Sequence, residues 1–145
     1  MKPVLIIKAG SAIAGVPAEW GDFEHWIGDG AGLDPDEWLS CAVVDGKSLP
    51  DVTSVSGIII TGSPAMVTDR LAWSEYTAQW LRAAIAASLP VLGICYGHQL
   101  LAHTLGGQVI YHPMGREIGT TEIVQTPAAR VDLLFSEMPQ QYPVH

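Results

Sequence analysis

The stretch Val91-Leu-Gly-Ile-Cys-Tyr-Gly-His-Gln-Leu100 decides how this chain is read. An apolar run that begins at Pro90 looks like a buried strand. It stops on a cysteine that has glycines two residues before it and two after it. Glycines at those positions let a strand turn sharply into a helix without side-chain clash, the nucleophile-elbow arrangement written with Cys in place of Ser. The turn pushes the thiol of Cys95 out at the edge of the sheet. The helix that follows aims its free N–H groups and positive dipole end at the sulfur, which favours thiolate, the reactive form. The backbone N–H of Tyr96 is then placed to donate to an oxyanion. A second donor must come from a neighbouring loop, and Thr61-Gly-Ser-Pro64 is the candidate. Gly62 allows close approach of a backbone N–H, and Pro64 fixes the turn.

The flanking sequence supports an alternation of strands and helices. Val4–Ile7, Cys41–Val44, Gly57–Ile60 and Pro90–Ile94 are short unbroken apolar runs, as expected of strands buried on both faces. Between the last two, Asp69 to Ala87 reads as a helix. Trp73, Tyr76, Thr77, Trp80, Leu81, Ala84 and Ile85 fall on one stripe, and Pro90 ends it. A second helix is expected from Gly97 to Leu105, stopped by Gly106-Gly107. A weaker one is expected from Pro17 to Gly28, with Trp20, Phe23 and Ile27 facing the core. The five tryptophans are read as core residues. This order predicts an α/β domain with a mostly parallel central sheet and helices on both faces. Ligands in such folds sit at the carboxyl ends of the strands, so the loops after Ile60 and Ile94 are expected side by side. Beyond Gly107, strands are expected at Gln108–Tyr111 and Glu117–Val124, the latter half exposed.

The chain has 145 residues and 48% of them are hydrophobic, which suits one domain with a proper core. Fifteen acidic residues against 7 Lys and Arg leave a formal charge of −8. That balance argues against nucleic acid or an anionic membrane as partner. The N-terminal run Val4–Ile7 imitates a signal peptide but is broken by Lys8. The only cysteines are Cys41 and Cys95, no disulfide framework, and a reducing cytoplasm fits. Cys41, inside an apolar run, is read as structural. His98 and His103 are five residues apart, about 140° around a helix, so they do not converge on a metal. No metal or cofactor is expected.

Residues Pro90–Leu101 resemble the active-site signature of class I glutamine amidotransferases at every position. Ile59-Ile-Thr-Gly-Ser-Pro64 resembles their oxyanion loop. Leu105-Gly-Gly-Gln-Val109 and Gly115-Arg-Glu-Ile-Gly119 are similar too, above all to the glutaminase domain of GMP synthase and its stand-alone relatives. The resemblance implies a three-layer, flavodoxin-like fold and assigns roles. Cys95 is the nucleophile that attacks the side-chain amide of glutamine, and Gly62 and Tyr96 supply oxyanion N–H groups. Gln99, with Gly62, Ser63 and Pro64, lines the substrate pocket. It implies a γ-glutamyl thioester, release of ammonia and hydrolysis to glutamate, with ammonia passing to a synthetase domain or subunit.

The family's general base is the His of a His-x-Glu pair on a later strand, and no His-x-Glu occurs in this sequence. Of His25, His98, His103, His112 and His145, only His145 lies well downstream, some tens of residues earlier than the family's base. The resemblance gives His98 no base role. The expectation is that this domain lacks its C-terminal part and that the parent reading frame continues to a His-x-Glu within about a hundred residues. Two other readings stay open: a γ-glutamyl hydrolase or peptidase of the same superfamily, and a non-catalytic domain kept for regulation or assembly.

Overall fold

The computed structural model describes residues 1–13, 15, 16, 18–115 and 118–144. Ala14, Pro17, Arg116, Glu117 and His145, some of which enter the readings above, lie outside them. Met1–Ile110 form one compact unit and the chain from Tyr111 onward forms a second.

Four parallel strands make the frame of the first unit. They are β1 (Val4–Lys8), β2 (Trp38–Ala42), β3 (Gly57–Ile60) and β4 (Val91–Gly93), in the order β2-β1-β3-β4. In β1, Leu5, Ile6 and Ile7 are wholly buried, so both faces of this strand are covered and its sequence is continuously apolar. The same kind of run in β4 has a different fate. β4 pairs with β3 alone among the described residues, and Leu92 stays 39% exposed. An apolar run announces a strand but not its place in the order. The run expected at Cys41–Val44 starts earlier, at Trp38, and turns off the sheet after Ala42 into a 3-10 turn at Val43–Asp45.

Three helices flank the sheet: α1 (Phe23–Gly30), α2 (Ala72–Ala86) and α3 (Tyr96–Thr104). α2 begins later than its pattern suggested. Val67–Asp69 form a 3-10 turn and Arg70 takes a left-handed conformation, φ 51°, which interrupts the helical path. Its buried face is Ser74, Thr77, Ala78, Leu81 and Ala84, so the stripe is rotated from the expected one and Tyr76 is exposed. α1 also starts later than expected. Ala18–Trp20 form a 3-10 turn, Gly21 turns the chain at φ 73°, and Asp22 caps the helix. This turn takes Trp20 out of the core stripe, and it is 66% exposed. Trp26 is exposed as well, so the reading of all five tryptophans as core fails for these two. Trp73 and Trp80 do pack against the core, and Trp80 Nε1 donates to the Pro50 carbonyl at 2.8 Å.

The second unit is a two-stranded antiparallel ladder of β5 (Thr121–Val124) and β6 (Gln141–Val144), with a 3-10 turn at Pro127–Val131 between them. β5 is more exposed than the half-buried strand its alternation suggested. Gln108–Tyr111 form no strand, and Ile110 and Tyr111 are exposed.

An ion cluster ties the end of β1 to the start of α1. Lys8 Nζ lies 2.7 Å from Asp22 and 2.9 Å from Glu24. Asp22 Oδ1 also accepts from the backbone N–H of Ala12 at 2.7 Å and of Phe23 at 2.8 Å. Burial alone would push the Asp22 carboxyl up, but the bonds from Lys8 and these backbone donors outweigh it and hold it well below the usual carboxylate range. Burial likewise works against the charged form of Lys8, and its two carboxylate partners overcome it and raise its pKa. A carboxyl depressed in the folded state stabilises the fold above the pH at which a free aspartate titrates, and that stabilisation is lost as the pH falls through the folded-state value. Asp22→Asn is therefore expected to lower unfolding stability by about 1–2 kcal/mol at pH 7, measured by urea titration. The gap between variant and wild type should narrow below pH about 4.

Candidate active site

The carboxyl ends of β1, β3 and β4 bring the candidate residues together. Thr61 N–H donates to the Ile7 carbonyl at 3.0 Å and Ile94 N–H to the Ile60 carbonyl at 3.0 Å, extending the ladder one residue past β3 and β4. At Cys95 the chain then leaves the sheet with φ 53° and ψ −105° and enters α3 at Tyr96. A non-glycine residue in such a conformation costs about 1–3 kcal/mol and persists only where its surroundings over-determine it. The surroundings here are tight. A methyl group on Gly97 would lie 2.5 Å from the Ile60 carbonyl oxygen and 2.7 Å from its Cβ. One on Gly93 would lie 2.5 Å from the Gly97 carbonyl group. Both glycines on either side of Cys95 are therefore sterically required, as the sequence reading expected.

Cys95 is exposed and Cys41 is buried. Burial pushes the Cys41 thiol up, with Lys47 opposing in part, and its sulfur lies 3.5 Å from the Ser48 carbonyl. That matches the structural reading of Cys41. The two loops predicted to be neighbours are neighbours: a methyl group on Gly62 would sit 3.7 Å from the Cβ of Cys95, in ordinary contact. Gly62 is thus not required by crowding; its lack of a side chain leaves open the space beside the thiol. The backbone N–H groups of Gly62 and Tyr96 make no hydrogen bond among the described residues. Ser63 Oγ accepts from the Ala65 N–H at 3.1 Å, so Ser63 and Pro64 shape the turn. Gln99 follows on α3, half-buried, its N–H bonded to the Cys95 carbonyl at 3.2 Å.

Two buried hydroxyl residues escaped the sequence reading. Thr61 Oγ1 accepts from the Ala9 N–H and donates to the Gly62 carbonyl, both at 2.9 Å, which fixes the loop after β3 against the loop after β1. Gly10 packs there as well, since a methyl group on it would lie 2.8 Å from Pro64. Ser74, on α2, lies 2.6 Å from the Tyr96 hydroxyl. A fully buried threonine at a strand end was a signal available in Thr61-Gly-Ser-Pro64; nothing local marked Ser74.

None of the described histidines hydrogen-bonds to Cys95. His98 is exposed, and His103 is engaged elsewhere, its Nε2 3.1 Å from Glu75 and 2.8 Å from Arg70. His145, Arg116 and Glu117 lie outside the described residues. No helix among the described residues is long and apolar enough to cross a membrane.

A parallel sheet whose fourth strand ends in a strained cysteine at a helix N-terminus is a recognisable arrangement. The glutamine amidotransferase class-I family model matches residues 40–145, and the chain belongs to that family. It is 36% identical over 85 residues to a glutamine-hydrolysing GMP synthase of Agathobacter rectalis, a match covering 59% of this chain and 14% of that protein. The crystal structure of a glutamine amidotransferase from Methylobacillus flagellatus superposes with a TM-score of 0.70 at 26% identity, over 99% of this chain and 57% of that one. One from Thermotoga maritima gives 0.75 at 19% identity, over 99% and 59%, and speaks for the fold alone. This chain thus spans a small part of the curated relative and a little over half of the solved ones.

Two glycine variants separate packing from site chemistry. Gly97→Ala should destabilise the fold by about 2–3 kcal/mol, because its methyl meets backbone that cannot move aside; the urea midpoint measures it. Gly62→Ala should leave that midpoint unchanged yet slow modification of Cys95 by a glutamine-mimicking electrophile about tenfold, since the methyl occupies space beside the thiol.

Proposed function

We propose that this chain performs the glutaminase half-reaction of a class I glutamine amidotransferase. The Cys95 thiolate attacks the side-chain carbonyl carbon of glutamine, and a C–S bond forms as the carbonyl π electrons move to oxygen. The Gly62 and Tyr96 N–H groups hold that oxyanion. Collapse breaks the C–N bond, ammonia leaves with one added proton, and a γ-glutamyl thioester remains. Water then cleaves the thioester to glutamate and restores the thiol. Gln99, Ser63 and Pro64 border the pocket for the glutamine. The ammonia goes to an acceptor on a synthetase domain or subunit, as the name of the Agathobacter rectalis relative suggests, in a cytoplasmic setting.

The observation that carries this reading is the left-handed backbone of Cys95 at the N-terminus of α3, with Gly62 beside it. A structural cysteine has no use for a strained, exposed position with two free N–H groups around it. The proton that ammonia takes must come from the protonated form of the base that removed the thiol proton. We assign that base to a His-x-Glu beyond these 145 residues, in a C-terminal part of the same domain. One observation favours a second, non-catalytic reading: no described histidine bonds to Cys95.

Incubation with 6-diazo-5-oxo-L-norleucine, a glutamine-mimicking electrophile, should add one label per chain, and peptide mass spectrometry should find it on Cys95. Cys95→Ser should abolish it. A label on Cys41, or none on a chain extended through its His-x-Glu, would refute the proposal.

A further inference from the structure

Cys95 is strained, and the side chain that follows it is the largest one fully buried among the described residues. Tyr96 is 1% exposed. Its hydroxyl lies 2.6 Å from Ser74 Oγ, and its ring packs 5.5 Å from the ring of Trp73. Ser74 is itself wholly buried, on the face of α2 that packs toward α3. Burial pushes the Tyr96 hydroxyl up, and the bond to Ser74 opposes that only in part, so Tyr96 is a neutral phenol. The contact is a neutral hydrogen bond between two buried hydroxyls.

We infer that the Ser74–Tyr96 bond is the anchor that holds Cys95 in its left-handed conformation, and that Ser74 is a positioning residue for the candidate nucleophile. Several constraints act on the elbow. The Ile94 N–H is tied to Ile60, Gly97 is pressed against the Ile60 carbonyl, and the Tyr96 side chain is fixed from α2. The first two locate the backbone before and after Cys95. The backbone also holds the 95–96 peptide directly, through the Gln99 N–H to the Cys95 carbonyl at 3.2 Å and the Gly97 N–H to the Ile94 carbonyl at 2.9 Å. The Tyr96 ring, clamped at its far end by Ser74, adds the side-chain constraint on that same peptide, whose rotation decides where the thiol and the Tyr96 N–H point. Without the clamp the ring can slide along Trp73, and Cys95 can relax toward an ordinary backbone angle. The role in glutamine hydrolysis rests on the function proposed above; the conformational claim does not.

The test compares Ser74→Ala, Tyr96→Phe and the double variant in the full chain. Each single change leaves one buried hydroxyl unpaired, while the double change leaves none, so the thermal midpoint should fall most in Ser74→Ala and recover in the double variant. A merely structural bond predicts that everything else recovers with it. A positioning role predicts that the Cys95 ¹³Cα chemical shift, which reports φ and ψ, stays displaced in the double variant. It also predicts that alkylation of Cys95 by iodoacetamide at fixed pH stays about tenfold slower than in the wild type. A double variant with a wild-type Cys95 shift, or with wild-type alkylation, overturns the inference. Iodoacetamide needs no glutamine pocket, so a chain extended through its His-x-Glu that ignores 6-diazo-5-oxo-L-norleucine sinks the functional proposal and leaves this comparison intact.

Discussion

The first turn of α3 passes so close to β3 that a methyl group on Gly97 would lie 2.5 Å from the Ile60 carbonyl oxygen, and the residues around the candidate site are arranged about that approach. A helix can start directly off the end of a parallel strand only if its first turn passes beside the neighbouring strand without a side chain between them. Gly97 provides that at α3, and Gly93 clears the same space from the strand side. The consequence falls on the residue between them. Cys95 has to absorb the change of direction in its own dihedral angles, and it does so at φ 53°. Strain, exposure and the N-terminal end of a helix therefore coincide at one sulfur because of a packing constraint two residues to either side.

The loops that complete the site are held by polar contacts in otherwise apolar surroundings. Thr61 Oγ1 bridges the loop after β1 and the loop after β3, and Gly10 lets those two loops touch. Lys8, Asp22 and Glu24 do similar work where β1 gives way to α1. Each of these groups is hydrogen-bonded at least once, and each would destabilise its surroundings if its partner were removed, since a buried polar group without a partner loses its hydration for nothing. The carboxyl edge of the sheet is accordingly cross-linked between its loops.

Much of this was legible in the residues. Unbroken apolar runs located the strands because a strand in a parallel sheet is covered on both faces, and the pair of glycines around Cys95 marked the elbow because nothing larger fits. Other features were not legible, for a shared reason. The hydrophobic stripe of α2 predicted a buried Tyr76 and gave no place to Ser74, because the buried face of a helix is chosen by what it packs against. Trp20 counted as core until Gly21 turned the chain before α1 and left it outside. β4 read like β1, although β1 has a neighbour on each side and β4 pairs with β3 alone among the described residues.

By itself the amino-acid sequence determined the class of fold, the identity of the candidate nucleophile and the family to which the chain is similar, because these depend on local periodicity and on residue types at short spacing. Only the tertiary structure decided which strands are interior, which helix face is buried, and which distant residues Thr61 and Ser74 contact. Those outcomes depend on contacts between residues far apart in the chain: Ala9 with Thr61, Ser74 with Tyr96. No local pattern encodes the distance between two such residues. For Pro90–Leu101 the two levels agree. The glycines announce a sharp turn in the sequence, and the carbonyl of Ile60, brought alongside by the sheet, is the physical reason the turn tolerates nothing else.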